Sequence, residues 1–316
     1  MRVFLTGGTG LLGSHTARRL VSDGHEVVAL CRPTSDVSAL ADGCRVVAGD
    51  VLDPVDILAE AMSGCSHVVH AAALVYSGGR RETVWSVNVE GAKAVMEAAA
   101  LAGVGHAVHV SSVAVYGIPC GPVSEDPAPD APLNRRDSYG RSKREAERAV
   151  RDVENRTGLP VTVLRPAGLY GEHDRLLSMR IGRMARRGVA FTLGPGRNTI
   201  PTVYAGNVAD AVVRCPLTQR MMVQGIAAGM GASPVVLPIP STLIRGGAYV
   251  LRRIGMSPLR PGRVPLERVA ALSLGENPYS SVRIRGELGW TPPHRHEDAL
   301  WRTGRWLTTG PLAGKE

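Results

Sequence analysis

The chain has 316 residues, about twice the length of one typical domain, and 44% of them are hydrophobic and 21% charged. This excludes a peptide hormone, a lone binding module and a disordered chain, and it predicts a soluble globular protein with a full core. Lys and Arg outnumber Asp and Glu by 37 to 28, but the arginines form scattered pairs with only two Phe among them, which argues against a nucleic-acid partner.

The first half of the chain alternates short apolar runs with longer helical patterns. Because apolar residues dominate most of these runs instead of alternating with polar ones, the runs are typical of strands that helices cover on both faces. The pattern predicts an α/β fold with a doubly wound parallel sheet of the Rossmann type. The six runs are Arg2–Leu5, Glu26–Leu30, Arg45–Val47, His67–Val69, His106–Val110 and Val161–Leu164.

The second half is richer in Gly and Pro, and we expect a smaller, less regular C-terminal substrate-binding lobe there. A strand-to-helix pattern over residues 199–213 is expected to return to the large sheet. The predicted dinucleotide-binding domain therefore comprises residues 1–165 and 199–218, and the predicted lobe comprises residues 166–198 and 219–310. Ligands bind at the carboxyl edge of open α/β sheets, so the lobe is expected to close over that edge.

Cysteine and apolar patterns bear on the compartment. The five cysteines are odd in number and form no Cys-x-x-Cys pair, which argues against a disulfide framework and a zinc site. Residues 292–298 include His, Glu and Asp, but their spacing supplies no closed ligand set for a metal. The chain opens on a strand-like run instead of a signal-peptide pattern, and no apolar run approaches the ~18 residues that span a bilayer. We therefore expect a cytoplasmic protein that binds neither metal nor membrane.

A glycine motif, Thr6-Gly7-Gly8-Thr9-Gly10-Leu11-Leu12-Gly13, follows the first run and opens a helical pattern. Gly7, Gly10 and Gly13 allow a tight turn and a close approach of the backbone to a pyrophosphate. The amides and the dipole of the helix start would hold its charge. The position of the motif within a βαβ pattern predicts dinucleotide binding.

The end of the second run bears on which dinucleotide binds. An NAD site usually has an Asp or Glu there to hold the ribose 2′-hydroxyl, and this chain has Cys31-Arg32-Pro33 instead. Arg32 can pair with a 2′-phosphate, so NADP(H) is favoured over NAD(H). The alternative is that Arg32 stacks on the adenine without discriminating between the two.

Tyr139 and Lys143 open a helical pattern, and their i, i+4 spacing places the phenol and the ammonium on one helix face. A neighbouring ammonium favours the phenolate and lowers the phenol pKa from about 10 toward the range of proton exchange near neutrality. Ser111 and Ser112 end the fifth run, where a hydroxyl can donate to a carbonyl oxygen. Together these groups predict a hydride-transfer site with an acid/base tyrosine.

These residues resemble the extended short-chain dehydrogenase/reductase family, within the NAD-dependent epimerase/dehydratase superfamily, and the resemblance covers nearly the whole chain. It implies a Rossmann oxidoreductase that binds NAD(P). The matching segments are Thr6–Gly13, Gly49–Val51, His70–Ala73, Val87–Gly91, Ser111–Ser112 with Tyr116–Gly117, Tyr139 with Lys143, Leu164–Pro166 and Glu287–Pro292.

The resemblance also implies roles for individual residues. Ser112, Tyr139 and Lys143 form the implied catalytic set, with Ser112 preferred over Ser111 because the family's serine precedes the Tyr-Gly tyrosine, here Tyr116, by four positions. Family members commonly dimerise, so a homodimer is expected. The implied cofactor-binding residues are Gly7, Gly10, Leu11, Leu12 and Gly13, Arg32, Asp50 and Val51 beside the adenine, Ala71, Ala72 and Ala73 along the ribose, Asn88 steadying the middle strand, Tyr139, Lys143 and Pro166.

Departures from the family's subgroups narrow the expected reaction. Dehydratases carry an acidic pair after the active-site hydroxyl, where this chain has Val113 and Ala114. Nucleotide-sugar epimerases carry an Asn and an Arg that hold the diphosphate, and this chain has Arg165-Pro166-Ala167-Gly168 and Ile200 in their places. The remaining resemblance is to the branch of 3β-hydroxysteroid dehydrogenase-like and dihydroflavonol reductase-like enzymes.

The expected function is therefore that of an NADP(H)-dependent ketoreductase or secondary alcohol dehydrogenase. Its expected substrate is an apolar, cyclic or polyketide- or steroid-like carbonyl, with Tyr139 as proton donor or acceptor. Apolar residues between Ile239 and Met256 are expected to wall the pocket. The alternatives are an NAD(P)-dependent epimerase that retains its cofactor and a non-catalytic nucleotide-binding regulator; a regulator would not need the tuned phenol.

Overall fold

The computed structural model describes residues 1–75, 81–117, 123, 133–135, 137–193, 196–197, 199–210, 217–218, 226–227, 229–239 and 291–312. The chain divides into two compact units. The first is formed by Met1–Gly117 with Asp126–Ala167, and the second by Ile118–Glu125 with Gly168–Glu316. Within the described ranges, no helix combines the length and the apolar character needed to cross a membrane.

All six runs expected to be strands form strands of one sheet in the first unit. They are β1 (Arg2–Thr6), β2 (Glu26–Cys31), β3 (Arg45–Ala48), β4 (His67–His70), β5 (His106–Val110) and β6 (Val161–Leu164). Every neighbouring pair is parallel, in the order β3-β2-β1-β4-β5-β6. The order reverses between β1 and β4, and ligands of doubly wound folds bind at the carboxyl ends of such strands. The predicted α/β fold class is confirmed.

Helices cover this sheet and bury its apolar residues. The first unit contains α1 (Leu11–Ser22), α2 (Val55–Ala61), α3 (Arg81–Trp85), α4 (Gly91–Leu101) and α5 (Ser138–Thr157). Phe4 of β1 and Val68 of β4 pack in one core cluster with Met62, Met96 of α4 and Val150 of α5, each of them fully buried. Burial of such side chains supplies most of the free energy that holds the helices on the sheet.

A five-residue π-helical stretch, Ser86–Glu90, joins α3 to α4. A π turn holds one residue more than an α turn, and such turns are frequent at functional sites. Asn88 lies inside this stretch and is only 1% exposed. The wide turn therefore directs a polar amide into the interior of the unit.

Local capping groups define the ends of α5, the helix that carries the candidate catalytic pair. Asp137 precedes it, and its Oδ1 accepts a hydrogen bond from the amide of Gly140 at 2.8 Å. Gly158 ends it with φ of 74°, a left-handed conformation that glycine adopts at low cost, and its amide donates to the carbonyl of Glu154 at 2.8 Å. The 20-residue helix is thus fixed at both ends.

The second unit is built from short strand pairs and helices. Its described elements are β7 (Gly168–Tyr170), β8 (Val189–Leu193), β9 (Thr199–Ile200), β10 (Thr202–Tyr204), β11 (Leu217–Thr218), β12 (Val235–Ile239), α6 (Leu177–Arg186), α7 (Ala205–Asp210) and α8 (His296–Thr309). Its core includes Tyr170, Ile181, Tyr204, Leu300 and Leu307. A smaller, less regular C-terminal lobe was expected here; the described elements are short, but the two units are nearly equal in length.

The structure differs from the predicted domain boundaries at residues 199–218. We expected this segment to return to the large sheet, but β10 pairs in parallel with β7 and β9 pairs antiparallel with β11. The segment consequently belongs to the second unit. The physical reason is that the strand Gly168–Tyr170 offers an edge in the same unit. Thr202–Tyr204 pairs with this edge instead of joining the large sheet.

Candidate active site

The glycine loop connects β1 to α1 and lies against the segment that follows β4. Gly7 has φ of 72°, and a Cβ atom there would lie 2.6 Å from the backbone N of Ala72 and 2.7 Å from the backbone C of Ala71. The amide of Gly10 donates to the carbonyl of Gly7 at 2.9 Å and closes the turn. Only glycine at position 7 permits this approach.

Gly13, in the first turn of α1, lets the helix pack directly on the loop. A Cβ atom at Gly13 would lie 2.0 Å from the carbonyl O of Gly7. Helix α1 is capped by Gly10 without a side-chain hydrogen bond, and its first turn contains no acidic residue. Its first backbone amides can therefore bind an anion, so the loop fits the pyrophosphate of a dinucleotide.

Thr6 and the segment after β4 form the adjoining wall of this loop. Thr6 Oγ1 lies 2.8 Å from His70 Nδ1 and accepts a hydrogen bond from the amide of Ala72 at 3.2 Å. The amide of Ala71 donates to the carbonyl of Thr6 at 3.2 Å, and Ala73 follows directly. Residues 71–73 are therefore held beside the glycine loop.

The remaining residues expected at the adenosine end follow the carboxyl ends of β2 and β3. Arg32 comes directly after β2 and is exposed. Asp50 and Val51 follow β3, where the amide of Asp50 donates to Asp53 Oδ2 at 2.7 Å and Asp50 Oδ1 accepts from the amide of Leu52 at 3.1 Å. All of them lie on the edge of the sheet that carries the glycine loop.

Asn88 fastens the chain after β4 to the helix α5. Its Oδ1 accepts from the amide of Leu74 at 2.8 Å, and its Nδ2 donates to the carbonyl of Leu74 at 3.1 Å. Nδ2 also donates to Ser142 Oγ at 2.9 Å, and Ser142 lies between Tyr139 and Lys143 in the sequence. One buried amide thus ties the wall beside the glycine loop to the candidate catalytic helix.

Ser112 begins a short 3₁₀ turn, Val113–Tyr116, directly after β5. Its Oγ accepts a hydrogen bond from the amide of Ala114 at 3.1 Å, and the amide of Val113 donates to the carbonyl of Pro166 at 3.1 Å. Gly140 of α5 approaches the same turn so closely that a Cβ atom would lie 2.7 Å from the carbonyl of Ala114. The structure therefore brings Ser112 and Pro166 together with the start of α5.

Tyr139 and Lys143 lie one turn apart on α5 and are 8% and 2% exposed. Lys143 Nζ donates to the carbonyl of Val110 at 2.8 Å, two residues before Ser112. Burial lowers the pKa of Lys143 to about 8, and the negative charge of Glu147 partly opposes this shift. An ammonium on the same helix face as a phenol favours the phenolate, which is the tuning that an acid/base tyrosine needs.

Two buried imidazoles lie near the ammonium. His70 of β4 and His109 of β5 are register partners, and their rings stack with centroids 5.4 Å apart. Burial, and to a smaller extent the charge of Lys143, lowers the pKa of His70 to about 3 and that of His109 well below its usual value. Neither ring nitrogen of His109 has a hydrogen-bond partner among the described residues. Lys143 therefore faces two neutral rings from the sheet.

Sequence reasoning missed three residues of this region. It gave no role to His109, or to Glu147 and Arg165, which form a buried ion pair beside the candidate catalytic set. A signal for Glu147 was present, because it continues the four-residue spacing of Tyr139 and Lys143 along α5. Arg165 lies in the matching segment Leu164–Pro166, but nothing in that segment indicates its partner. No signal marks His109, since only the fold brings β5 and the end of β6 to this helix.

The family of the chain follows from a comparison with models of known families. The model described as the NAD dependent epimerase/dehydratase family matches residues 3–223, from β1 into the second unit. The chain belongs to this family. It is an NAD(P)-dependent enzyme of the extended short-chain dehydrogenase/reductase type, as the sequence resemblance predicted.

Relatives of this epimerase/dehydratase family member include oxidoreductases. It is 30% identical over 330 residues to the 2-alkyl-3-oxoalkanoate reductase of Stenotrophomonas maltophilia, covering 96% of this chain and 98% of that one. It is 27% identical to the 3-beta-hydroxysteroid dehydrogenase of Mycolicibacterium neoaurum, covering 95% and 89% of the two chains. The UDP-glucose 4-epimerase of Thermotoga maritima, solved with UDP-glucose, has the same fold, with 19% identity, a TM-score of 0.72 and coverage of 98% and 99%.

Part of the expected substrate site lies outside the described residues. The apolar residues expected to wall the pocket, Leu243, Ile244, Tyr249, Val250, Leu251 and Met256, belong to this part, as does most of the matching segment Glu287–Pro292. The catalytic and cofactor-binding candidates all lie within the described residues of the first unit.

Proposed function

We propose that the protein is an NADP(H)-dependent ketoreductase, or in the reverse direction a secondary alcohol dehydrogenase, acting on an apolar carbonyl of cyclic, polyketide or steroid type. The observation that carries this proposal is the buried ammonium of Lys143, which shares a helix face with Tyr139 and bonds the end of β5 just before Ser112. Relatives named for the reduction of 2-alkyl-3-oxoalkanoates and for the dehydrogenation of a 3β-hydroxysteroid support carbonyl and alcohol chemistry on apolar molecules.

Each residue of the set has a separate task in this reaction. Bound NADP(H) supplies hydride to the carbonyl carbon, or accepts it in reverse. Ser112 donates a hydrogen bond to the carbonyl oxygen, and the hydroxyl of Tyr139 gives that oxygen its proton. Lys143 keeps the phenol pKa low as long as its own ammonium is charged, which holds below its pKa of about 8.

The proposal is tested by mixing the purified protein with NADPH or NADH and each member of a panel of ketones, and recording the nicotinamide absorbance. The panel runs from small aliphatic ketones to 2-alkyl-3-oxo acids, polycyclic aromatic ketones and steroids. We expect net NADPH oxidation with the bulky apolar members and little with the small ones, because apolar burial supplies the affinity.

Two results would contradict the ketoreductase proposal. Tight retention of a cofactor with no net change in its redox state would point to an epimerase. Nucleotide binding with no turnover of any kind would point to a regulator.

Replacement of Arg32 by Asp should reverse the cofactor preference. The carboxylate repels a 2′-phosphate and can accept a hydrogen bond from a ribose 2′-hydroxyl, so the ratio of kcat/KM for NADPH to that for NADH should fall at least about tenfold. The matched control is Arg45→Asp, which places the same charge change on an exposed residue at the amino end of β3. An unchanged ratio in the Arg32 variant would show that Arg32 does not discriminate.

Replacement of Ser112 by Ala should lower kcat about 100-fold, since it removes a donor to the oxygen on which charge develops. Its neighbour Ser111 provides the matched control. Ser111 is 3% exposed and its Oγ has no hydrogen-bond partner among the described residues, so Ser111→Ala should change kcat by no more than about threefold. Steady-state kcat values of the two variants at saturating NADPH show which serine is catalytic. A larger loss of kcat in Ser111→Ala than in Ser112→Ala would assign the catalytic role to Ser111.

A further inference from the structure

A buried ion pair lies one helical turn beyond Lys143. Glu147 is fully buried, and Arg165 follows β6 with a side chain only 12% exposed. Arg165 Nε donates to Glu147 Oε1 at 2.9 Å, and Arg165 Nη2 donates to Glu147 Oε2 at 2.7 Å. This two-point contact fixes the carboxylate in one orientation, since the planar guanidinium matches both of its oxygens.

Arg165 also contacts the turn that carries Ser112. Its Nη1 donates to the hydroxyl of Tyr116 at 2.7 Å, and its guanidinium carbon lies 5.2 Å from the centroid of the Tyr116 ring. A second arginine, Arg144 of α5, donates from Nε to the carbonyl of Val115 at 3.0 Å. Two guanidinium groups thus join the Val113–Tyr116 turn to α5.

The charged and titratable groups around Lys143 come from five elements: α5, β4, β5, α4 and the Val113–Tyr116 turn. Glu147 on α5 is the carboxylate that raises its pKa, against the larger lowering by burial. His70 on β4 and His109 on β5 are neutral at ordinary pH because burial lowers their pKa values. On α4, the carboxylate of Glu97 pairs with Arg156 near the far end of α5. The turn before α5 contributes the phenol of Tyr116, whose hydroxyl accepts a hydrogen bond from Arg165.

We propose that the ion pair of Glu147 with Arg165 positions the active site: it places a fixed carboxylate one helical turn beyond Lys143 on α5, and Arg165 holds the Ser112 turn against α5. The proposal rests on the proposed function for its catalytic consequence. The effect of Glu147 on the pKa of Lys143 does not depend on the proposed function, because it involves only residues of this chain. Arg165 binds both oxygens of the carboxylate, so the ion pair holds Glu147 in one orientation, one helical turn from Lys143.

The substitution Glu147→Gln distinguishes this role from a purely structural one, because the two roles predict shifts of the Lys143 pKa in opposite directions. Glutamine keeps the shape and one acceptor oxygen but removes the charge. Without the charge, the pKa of Lys143 should fall by about one unit from its wild-type value near 8. If the variant merely loosened the site, water would reach the ammonium and its pKa would rise toward the ordinary value of 10.5.

The sequence makes this measurement simple, because the chain contains three lysines, Lys93, Lys143 and Lys315. The intact protein is produced with lysine carrying ¹³C at the ε position, and the three resonances are titrated by NMR, with Lys143→Arg used for assignment. The matched control is Glu145→Gln, which removes an exposed carboxylate of the same helix that pairs with Arg148. Glu145→Gln should leave the Lys143 pKa unchanged.

A second readout is the pH dependence of ketone reduction. As pH rises, activity that needs the ammonium is lost through the pKa of Lys143, so the alkaline limb of kcat should move to lower pH in Glu147→Gln by the same shift that NMR gives. If NMR shows the fall but even the wild-type protein reduces no ketone, the proposed function fails and the electrostatic assignment stands. If the enzyme reduces ketones and the Lys143 pKa stays or rises in the variant, the positioning role is overturned.

Removal of one charge from a buried pair can prevent folding. In that case the double variant Glu147→Gln with Arg165→Gln replaces the single one, since it leaves no uncompensated charge. The expected fall in the Lys143 pKa is then smaller, because a positive charge is removed as well, but it has the same sign, because Glu147 is the group that raises this pKa. An unchanged or raised Lys143 pKa in the folded double variant would overturn the proposal equally.

Discussion

Phenylalanine in place of Tyr139 should lower kcat at least about 1000-fold, the upper range expected for the loss of a positioned general acid or base. The ring stays, so the packing of this 8%-exposed side chain on α5 is conserved. Only the hydroxyl that exchanges the proton is lost. Lys143 keeps its hydrogen bond to the carbonyl of Val110.

Nucleotide affinity should stay within about threefold in the same variant, because the glycine loop and residues 71–73 are built from other elements. NADPH fluorescence titration gives the affinity, and single-turnover absorbance gives the rate. The thermal unfolding midpoint serves as the folding control. Retention of most of the wild-type rate, in a folded variant that binds NADPH, would remove Tyr139 from the proposed mechanism.

Alanine in place of Gly13 should abolish nucleotide binding or folding. A Cβ atom at this position would lie 2.0 Å from the carbonyl O of Gly7 and 2.8 Å from the Cα of Gly8, and both are backbone atoms that cannot rotate away. The helix α1 would have to move off the loop, which would misalign the amides proposed to bind the pyrophosphate. We expect a loss of at least about 3 kcal/mol in the free energy of unfolding, at the upper end for overpacking, or a loss of NADPH affinity of more than about 100-fold.

The control for this variant is Gly105→Ala on the opposite side of the sheet, before β5. The nearest atom to a Cβ there is the carbonyl of Ser66 at 3.6 Å, an ordinary contact, so its free energy of unfolding should change by less than about 0.5 kcal/mol. Urea unfolding and NADPH titration of both variants give the comparison. Wild-type stability and affinity in Gly13→Ala would mean that the loop accommodates a methyl group, and the cofactor assignment of the loop would lose its structural basis.

The centre of the large sheet was predictable because β1 and β2 are buried along almost their whole length. The runs Arg2–Leu5 and Glu26–Leu30 each consist of one charged residue followed by apolar residues, and each became a strand at nearly the expected bounds. The glycine loop was predictable for a related reason. The backbone approaches so closely at Gly7 and Gly13 that no side chain fits there. The need for glycine at these two positions is therefore visible in the sequence as residue type and spacing.

Pairing between distant segments was not predictable from local pattern. Thr202–Tyr204 has the composition of a strand, but nothing in those residues tells whether it joins β6 or pairs with Gly168–Tyr170, as it does. The ion pair of Glu147 with Arg165 poses the same difficulty, because its partners lie 18 residues apart on a helix and a strand end. Helical spacing predicts that Glu147 lies on the same helix face as Lys143. The contact of Glu147 with Arg165 is visible only in the folded structure.

The π-helical stretch Ser86–Glu90 has a consequence for how this part of the chain can change in length. An α-helix advances about 100° per residue, so the extra residue in the wide turn rotates α3 by roughly that angle relative to α4. A chain one residue shorter here could close the turn into a regular helix, but Asn88 would then swing away from Leu74 and Ser142. Unlike a surface loop, this stretch is therefore not expected to lose a residue without also losing the contacts of Asn88.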